Sequence, residues 1–253
     1  MAALLAGCGA RLGGDDQQGA TTDANGSNGS NGSNGSNMQM DASVDAPPAC
    51  ANGRVVFLNF EGVAPLTQAA TTDATLNRAN WLTNTSATIP PYHQGVAGRA
   101  TEIQTITDGV KSRLAMTPIK VVTTRPASGP YVMVVFGGQR TADGGTVGTP
   151  YTLATSEHDC GDTAKNDVGW VSDTASVSYA QDLAIGAIGW GLGLNGTNDP
   201  NDCMCSWANT CNSAAGACTL SASIASTTST GNTTCPNQNP QNEVAAFSTG
   251  FCQ

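Results

Sequence analysis

From Arg54 to Phe60 the chain reads Arg-Val-Val-Phe-Leu-Asn-Phe, an apolar run with the length and β-branching of a buried strand. Thr67 to Thr83 has a weak helical pattern. Residues 97 to 115 carry a stronger one: Ile103, Ile106, Val110 and Leu114 recur at three- and four-residue spacing and share one helix face. Ile119 to Thr124 and Tyr131 to Phe136 read as strands, separated by a turn between Pro126 and Pro130, and Val168 to Val171 is a short fourth strand. Residues 139 to 166 have no periodicity and read as loop. Ser176 to Leu194 predicts an apolar helix, with Ala184, Ile188 and Leu192 one turn apart. After Asn195 the chain is Cys, Asn, Ser, Thr and Gly with few hydrophobes, and such a segment holds a shape only when cross-linked. The order of elements predicts an α+β core followed by a disulfide-stapled lobe over 196–253.

The amino-terminal region differs in kind. From Gly9 to Pro48 there are almost no branched or aromatic residues, and Asn25 to Asn37 repeats Asn-Gly-Ser. Too little apolar area is available to offset the entropy of ordering it, so residues 9–48 are expected to be a disordered tether, with the folded part beginning near Cys50. Upstream, Leu5-Ala6-Gly7-Cys8 resembles the lipobox of bacterial lipoproteins, which implies acylation of Cys8 and makes residues 1–8 a signal remnant. A start further upstream would supply the basic n-region and apolar core that a signal peptide wants.

Composition narrows the functions. Nineteen acids against ten bases give a net charge of −9, so there is no basic face to displace counterions from nucleic acid. Charged residues make up only 11% of the chain, less than half the roughly 25% of an ordinary soluble domain. No run approaches the ~20 apolar residues of a transmembrane helix. Nine cysteines in so Lys-poor a chain point to an oxidising compartment, and setting Cys8 aside for lipid leaves an even eight.

The candidate chemistry lies at the end of the second helix. Gly186-Ala-Ile-Gly-Trp190-Gly-Leu-Gly193-Leu-Asn-Gly196 is followed by Asp202-Cys-Met204. This resembles the zinc site of the metzincin metalloproteases, HExxHxxGxxH with its Met-turn, after loss of the reacting side chains. Gly186, Trp190 and Gly196 stand at the three His positions and Ala187 at the Glu; Gly193 matches the turning glycine and Met204 the Met-turn. Glu61-Gly62 after the first strand, the 131–138 strand, and Asp159-Cys-Gly161 leading to Asn166-Asp-Val-Gly169 resemble segments of secreted bacterial proteins of that kind. The resemblance implies a twisted mixed sheet with two long helices over 49–253. It leaves catalytic zinc without donors, since Gly and Ala have none and an indole N–H only donates. Catalytic residues, metal and cofactor are therefore all expected to be absent. A generic apolar core helix is the competing reading. Against it, interior glycines at 186, 189 and 191 cost about 1 kcal/mol each relative to Ala.

Cys203, Cys205, Cys211 and Cys218 have poor spacing for a zinc knot and read as disulfides with Cys50, Cys160, Cys235 and Cys252; four bridges among eight allow 105 connectivities. Cys160 before the fourth strand and Cys203 beside the Met-turn suggest one clamp. His158 with Asp159 and Asp162, and His93 after Pro90-Pro91-Tyr92, read as solvated loop residues. Asp199, Asn201 and Asp202 read as a turn rather than a calcium loop.

The expected protein is a surface or periplasmic bacterial lipoprotein, lipid-anchored or secreted, touching membrane only through its anchor. Its silent metalloprotease-like domain would hold a protein or peptide ligand in a groove at Trp190 and Asn195. One alternative is an active secreted metallopeptidase whose zinc is held by relocated ligands such as His93, His158 and an acid. The other is a structural cell-surface spacer.

Overall fold

The computed structural model describes residues 50, 53–141, 144–149, 152–207, 217–227 and 234–252. Lipidation at Cys8, the 9–48 tether and Cys211 lie outside the described residues. Strands β1 (Val55–Asn59), β5 (Lys120–Val122), β6 (Tyr131–Phe136), β8 (Val168–Val171) and β7 (Ala154–Thr155) form a five-stranded sheet in the order β5-β1-β6-β8-β7. Its internal pairings are parallel except at the edge, where β7 runs antiparallel to β8. The fold is thus α+β with a mixed sheet.

Both faces of this sheet are buried, as its near-continuous apolar strands require. Val56 and Leu58 of β1 and Val132, Val134 and Phe136 of β6 point to one side. There they meet α1 (Arg99–Arg113) and α2 (Val177–Gly191) through Ile106, Val110, Ala184 and Ile188. Arg113 of α1 pairs with buried Asp182 of α2 at 2.6 Å. The alternate residues, including Phe57, Met133, Val135 and Trp170, face a second sheet of β3 (Arg78–Ala79), β2 (Val63–Gln68) and β4 (Ser86–Ile89), in that order.

The sequence expectations for β1, β5, β6, β8, α1 and α2 hold to within a few residues. The helical reading of 67–83 does not. The segment continues β2, turns through a 3-10 turn at Ala74–Leu76 and enters β3. Asp73 accepts a hydrogen bond from the Thr75 N–H and Asn77 adopts φ +51°, which closes a turn where poor helix formers offer no apolar stripe. The 139–166 loop contains β7, which pairs with β8 while Leu153 and Ala154 pack against the core.

The lobe after residue 195 is more ordered than its composition suggested. It contains a third helix, α3 (Glu243–Phe251), capped by the Asn242 side chain accepting from the Ala245 N–H. Phe247 and Phe251 reach the core beneath α2. Disulfides join Cys50 to Cys252, Cys160 to Cys235 and Cys203 to Cys218, and Cys205 is also bonded. The expected Cys160–Cys203 clamp is wrong. Cys203 is buried against Cys218, while Cys160 is met by Cys235 arriving from the lobe. No helix among the described residues is long and apolar enough to cross a membrane.

Candidate functional site

The site is built by the end of α2. Ser176 opens the helix with its hydroxyl accepting from the Tyr179 N–H. At the other end the Gly193 N–H donates to the Trp190 carbonyl and the Leu194 N–H to the Gly189 carbonyl. This closure needs Gly193 in the left-handed region at φ +79°, and a β-carbon there would lie 2.8 Å from the Asp159 carbonyl oxygen. The chain then returns through Asp202 to Met204. The Met204 sulfur packs under the helix so closely that a β-carbon at Gly189 would come within 2.5 Å of it.

Gly186, Ala187, Trp190 and Gly196 are all buried at this turn, and none offers a metal donor. Three protein donors and an open position are what catalytic zinc takes, so zinc does not fit the 186–196 turn. Trp190 is only 8% exposed, and the imidazole of His158 stacks on its indole at 3.7 Å. His158 Nε2 lies 3.1 Å from the Cys235 sulfur. His158, Cys160 and Cys235 place their donor atoms within 4.8 Å of one another, with the two cysteines joined as a disulfide.

Asn195 is 2% exposed and its carboxamide is engaged within the protein. Its Oδ1 accepts from the Cys235 N–H at 2.8 Å and its Nδ2 donates to the Cys235 carbonyl at 3.1 Å. Gln241 completes the clasp: its Oε1 accepts from the Asn195 N–H and its Nε2 donates to the Asn195 carbonyl.

His93 is not brought to this turn. Its Nδ1 is 2.7 Å from Glu102 and its Nε2 is 2.9 Å from the Asp173 carbonyl oxygen. With Glu102 ionised both partners accept, and the two bonds together favour the imidazolium. Burial opposes that charge, but the bonds to Glu102 and Asp173 prevail and raise the His93 pKa. The ring borders an open depression of about 400 Å³ that Pro90, Val96 and Gln139 also line.

Three buried groups that sequence reading passed over surround the turn. Arg54, fully buried, donates to Asp162 at 2.6 Å and stands 3.9 Å from Asp167, tying the start of β1 to the 157–167 loop. Burial pushes the Asp167 carboxyl up to about 8, against the Arg54 charge. Glu243 is pushed up to about 8 by burial and by its neighbour Asp202. Asp202 accepts from Thr197, from Ser221 and from the Met204 N–H, and so shapes the turn. Asp199 makes a local turn bond to the Asn201 N–H. A charged residue opening an apolar strand was the one sign of Arg54; the acids lay in polar stretches that resemble ordinary loop.

No protein-family model and no curated protein matches the chain.

Proposed function

We propose that residues 49–253 are a catalytically silent metzincin-like domain that binds extended peptide, carried by an exported lipoprotein. One observation carries the reading. A long helix ends in a left-handed Gly193 turn backed by the Met204 sulfur, while the four positions that would perform zinc hydrolysis hold Gly, Ala, Trp and Gly. The mixed sheet and the two 15-residue helices agree with that ancestry. The disulfides agree with export.

The peptide would add to the free edge of β7. That strand ends the sheet, is half-buried, and leads within three residues to the His158–Trp190 stack. Main-chain bonding at a sheet edge needs no metal. The groove is thus moved from the expected Trp190–Asn195 pair: Trp190 acts through His158, and Asn195 serves the lobe.

The test is a library of extended peptides titrated into labelled, disulfide-intact protein. Shifts confined to the Ala154 and Thr155 amides, and lost when the peptide backbone is N-methylated, are expected. Tightly held zinc in that oxidised protein, or chelator-sensitive cleavage of casein, would overturn the silent reading. Absence of any shift at β7 would favour the spacer.

A further inference from the structure

We propose that His158, Cys160 and Cys235 form a zinc site that opens when the disulfide between the two cysteines is reduced. Two thiolates and an imidazole are donors that zinc prefers. No other group of three such residues among the described ones brings its atoms this close. The site uses none of the 186–196 motif positions as ligands, and it stands whether or not β7 binds peptide.

The donors are held by bonds other than the disulfide, so reduction need not scatter them. Cys235 is fixed through its own N–H and C=O by the Asn195 carboxamide. His158 is oriented by its stack on Trp190, with ring planes 20° apart. The loop between His158 and Cys160 is anchored by the Asp159 N–H donating to the Trp190 carbonyl at 3.3 Å. The Asp159 carboxylate accepts from Thr163 and from the Ala164 N–H. In a tetrahedral site with Zn–S near 2.3 Å, two sulfurs stand about 3.8 Å apart and a sulfur and an imidazole nitrogen about 3.5 Å. With the Cys160 and Cys235 α-carbons 5.2 Å apart, rotation about the Cα–Cβ bonds supplies the first separation. His158 Nε2, 3.1 Å from the Cys235 sulfur, is already near the second. Cys160 is exposed, which leaves the fourth position to water.

The opening step is an exchange with a dithiol reductant. Its thiolate attacks the sulfur of Cys160, the exposed residue of the pair, and Cys235 leaves as thiolate. The second reductant thiol then attacks the mixed disulfide and releases Cys160. The reductant becomes a disulfide, losing two electrons that the protein sulfurs gain. Zinc binding then displaces the protons from both thiols. The Cys203–Cys218 bond is buried on both sides and offers no such entry.

The full chain, mildly reduced with dithiothreitol and freed of it, is titrated with cobalt(II) and with zinc. Reduced protein should show a tetrahedral, thiolate-bearing cobalt spectrum that the oxidised protein lacks. Cys160→Ser should abolish it, Cys50→Ser should leave it, and His158→Ala should weaken binding by at least about tenfold, the lower range for losing even a supporting residue. Should Cys160→Ser fail to fold, zinc protection against alkylation in the reduced wild-type chain, mapped by peptide, should fall on Cys160 and Cys235. The site is refuted by a cobalt spectrum that survives Cys160→Ser, by unchanged affinity in His158→Ala, or by zinc that protects neither cysteine.

Discussion

The sheet with α1 and α2 and the lobe from Asn195 to Cys252 reach order by different means. In the first, side chains such as Leu58, Val134 and Ile188 are fully buried on a continuous aliphatic surface, and burial itself supplies the stability. Among its described residues the lobe has few such aliphatic side chains outside α3. Among the described residues its strand pairing consists of single bridges, at Thr197–Ser226, Asp202–Thr219 and Ile224–Gln241. What fixes it is a chain of polar groups, buried Asn195, Gln241, Glu243 and Asp202 with half-buried Ser221, together with disulfides. A core of the first kind loses stability as a whole when one side chain is cut back, while loss of one partner in a network of the second kind is felt first around that partner.

The contrast is broken or sharpened by four measurements. The largest effect is expected from Leu58→Ala, which should lower stability to urea by about 2–5 kcal/mol and unfold both regions together. Asn195→Ala leaves the Cys235 N–H and C=O buried without their partner and should cost about 1–3 kcal/mol. Hydrogen exchange should then quicken at Cys235 and Gln241 while Val134 stays protected; equal quickening at Val134 would mean that the lobe is no separate unit.

Third is pH. Glu243 holds its proton in the folded state up to about 8, against an ordinary value of 4.5. Between those values the folded chain binds more protons than the unfolded one, so stability falls as pH rises, by no more than about 1.4 kcal/mol per pH unit for this group. Glu243→Gln, neutral throughout and able to donate to Asp202, should flatten that slope in denaturation curves from pH 5 to 8. Asp167 should keep its own share, having the same direction of shift.

The smallest effect is at His93. Its raised pKa makes its contribution complete below 6.5 and lost as pH climbs through the folded value. The pair with Glu102 is partly exposed, so His93→Gln should cost only about 0.2–1 kcal/mol at pH 6, and less as pH climbs through the folded value.

How much of this was legible follows from the same contrast. Strands β1, β6 and β8 and helices α1 and α2 declare themselves because apolar periodicity is a local signal. The small sheet was missed: β3 has two residues, and β4 reads Ser-Ala-Thr-Ile, with only Ala87 and Ile89 buried. Helix α3 carried an Asn242 cap and the Phe247–Phe251 spacing, hidden by the polar stretch before it. At the site, that Gly186, Ala187, Trp190 and Gly196 offer no metal donor could be read directly. The approach of His158 to Cys235, 77 residues away, could not, because only the folded lobe brings them together.

Asn195 is followed by Gly196, the dipeptide in which an asparagine side chain is most readily attacked by the next peptide nitrogen, closing to a succinimide and then hydrolysing to aspartate or isoaspartate. In the native protein both carboxamide atoms and both main-chain polar atoms of Asn195 are bonded, so the side chain is not free to swing onto that nitrogen. Conversion to aspartate would remove the donor that the Cys235 carbonyl relies on. The clasp therefore guards the molecule against its own chemical ageing, and once it is undone, the damage keeps it from closing again.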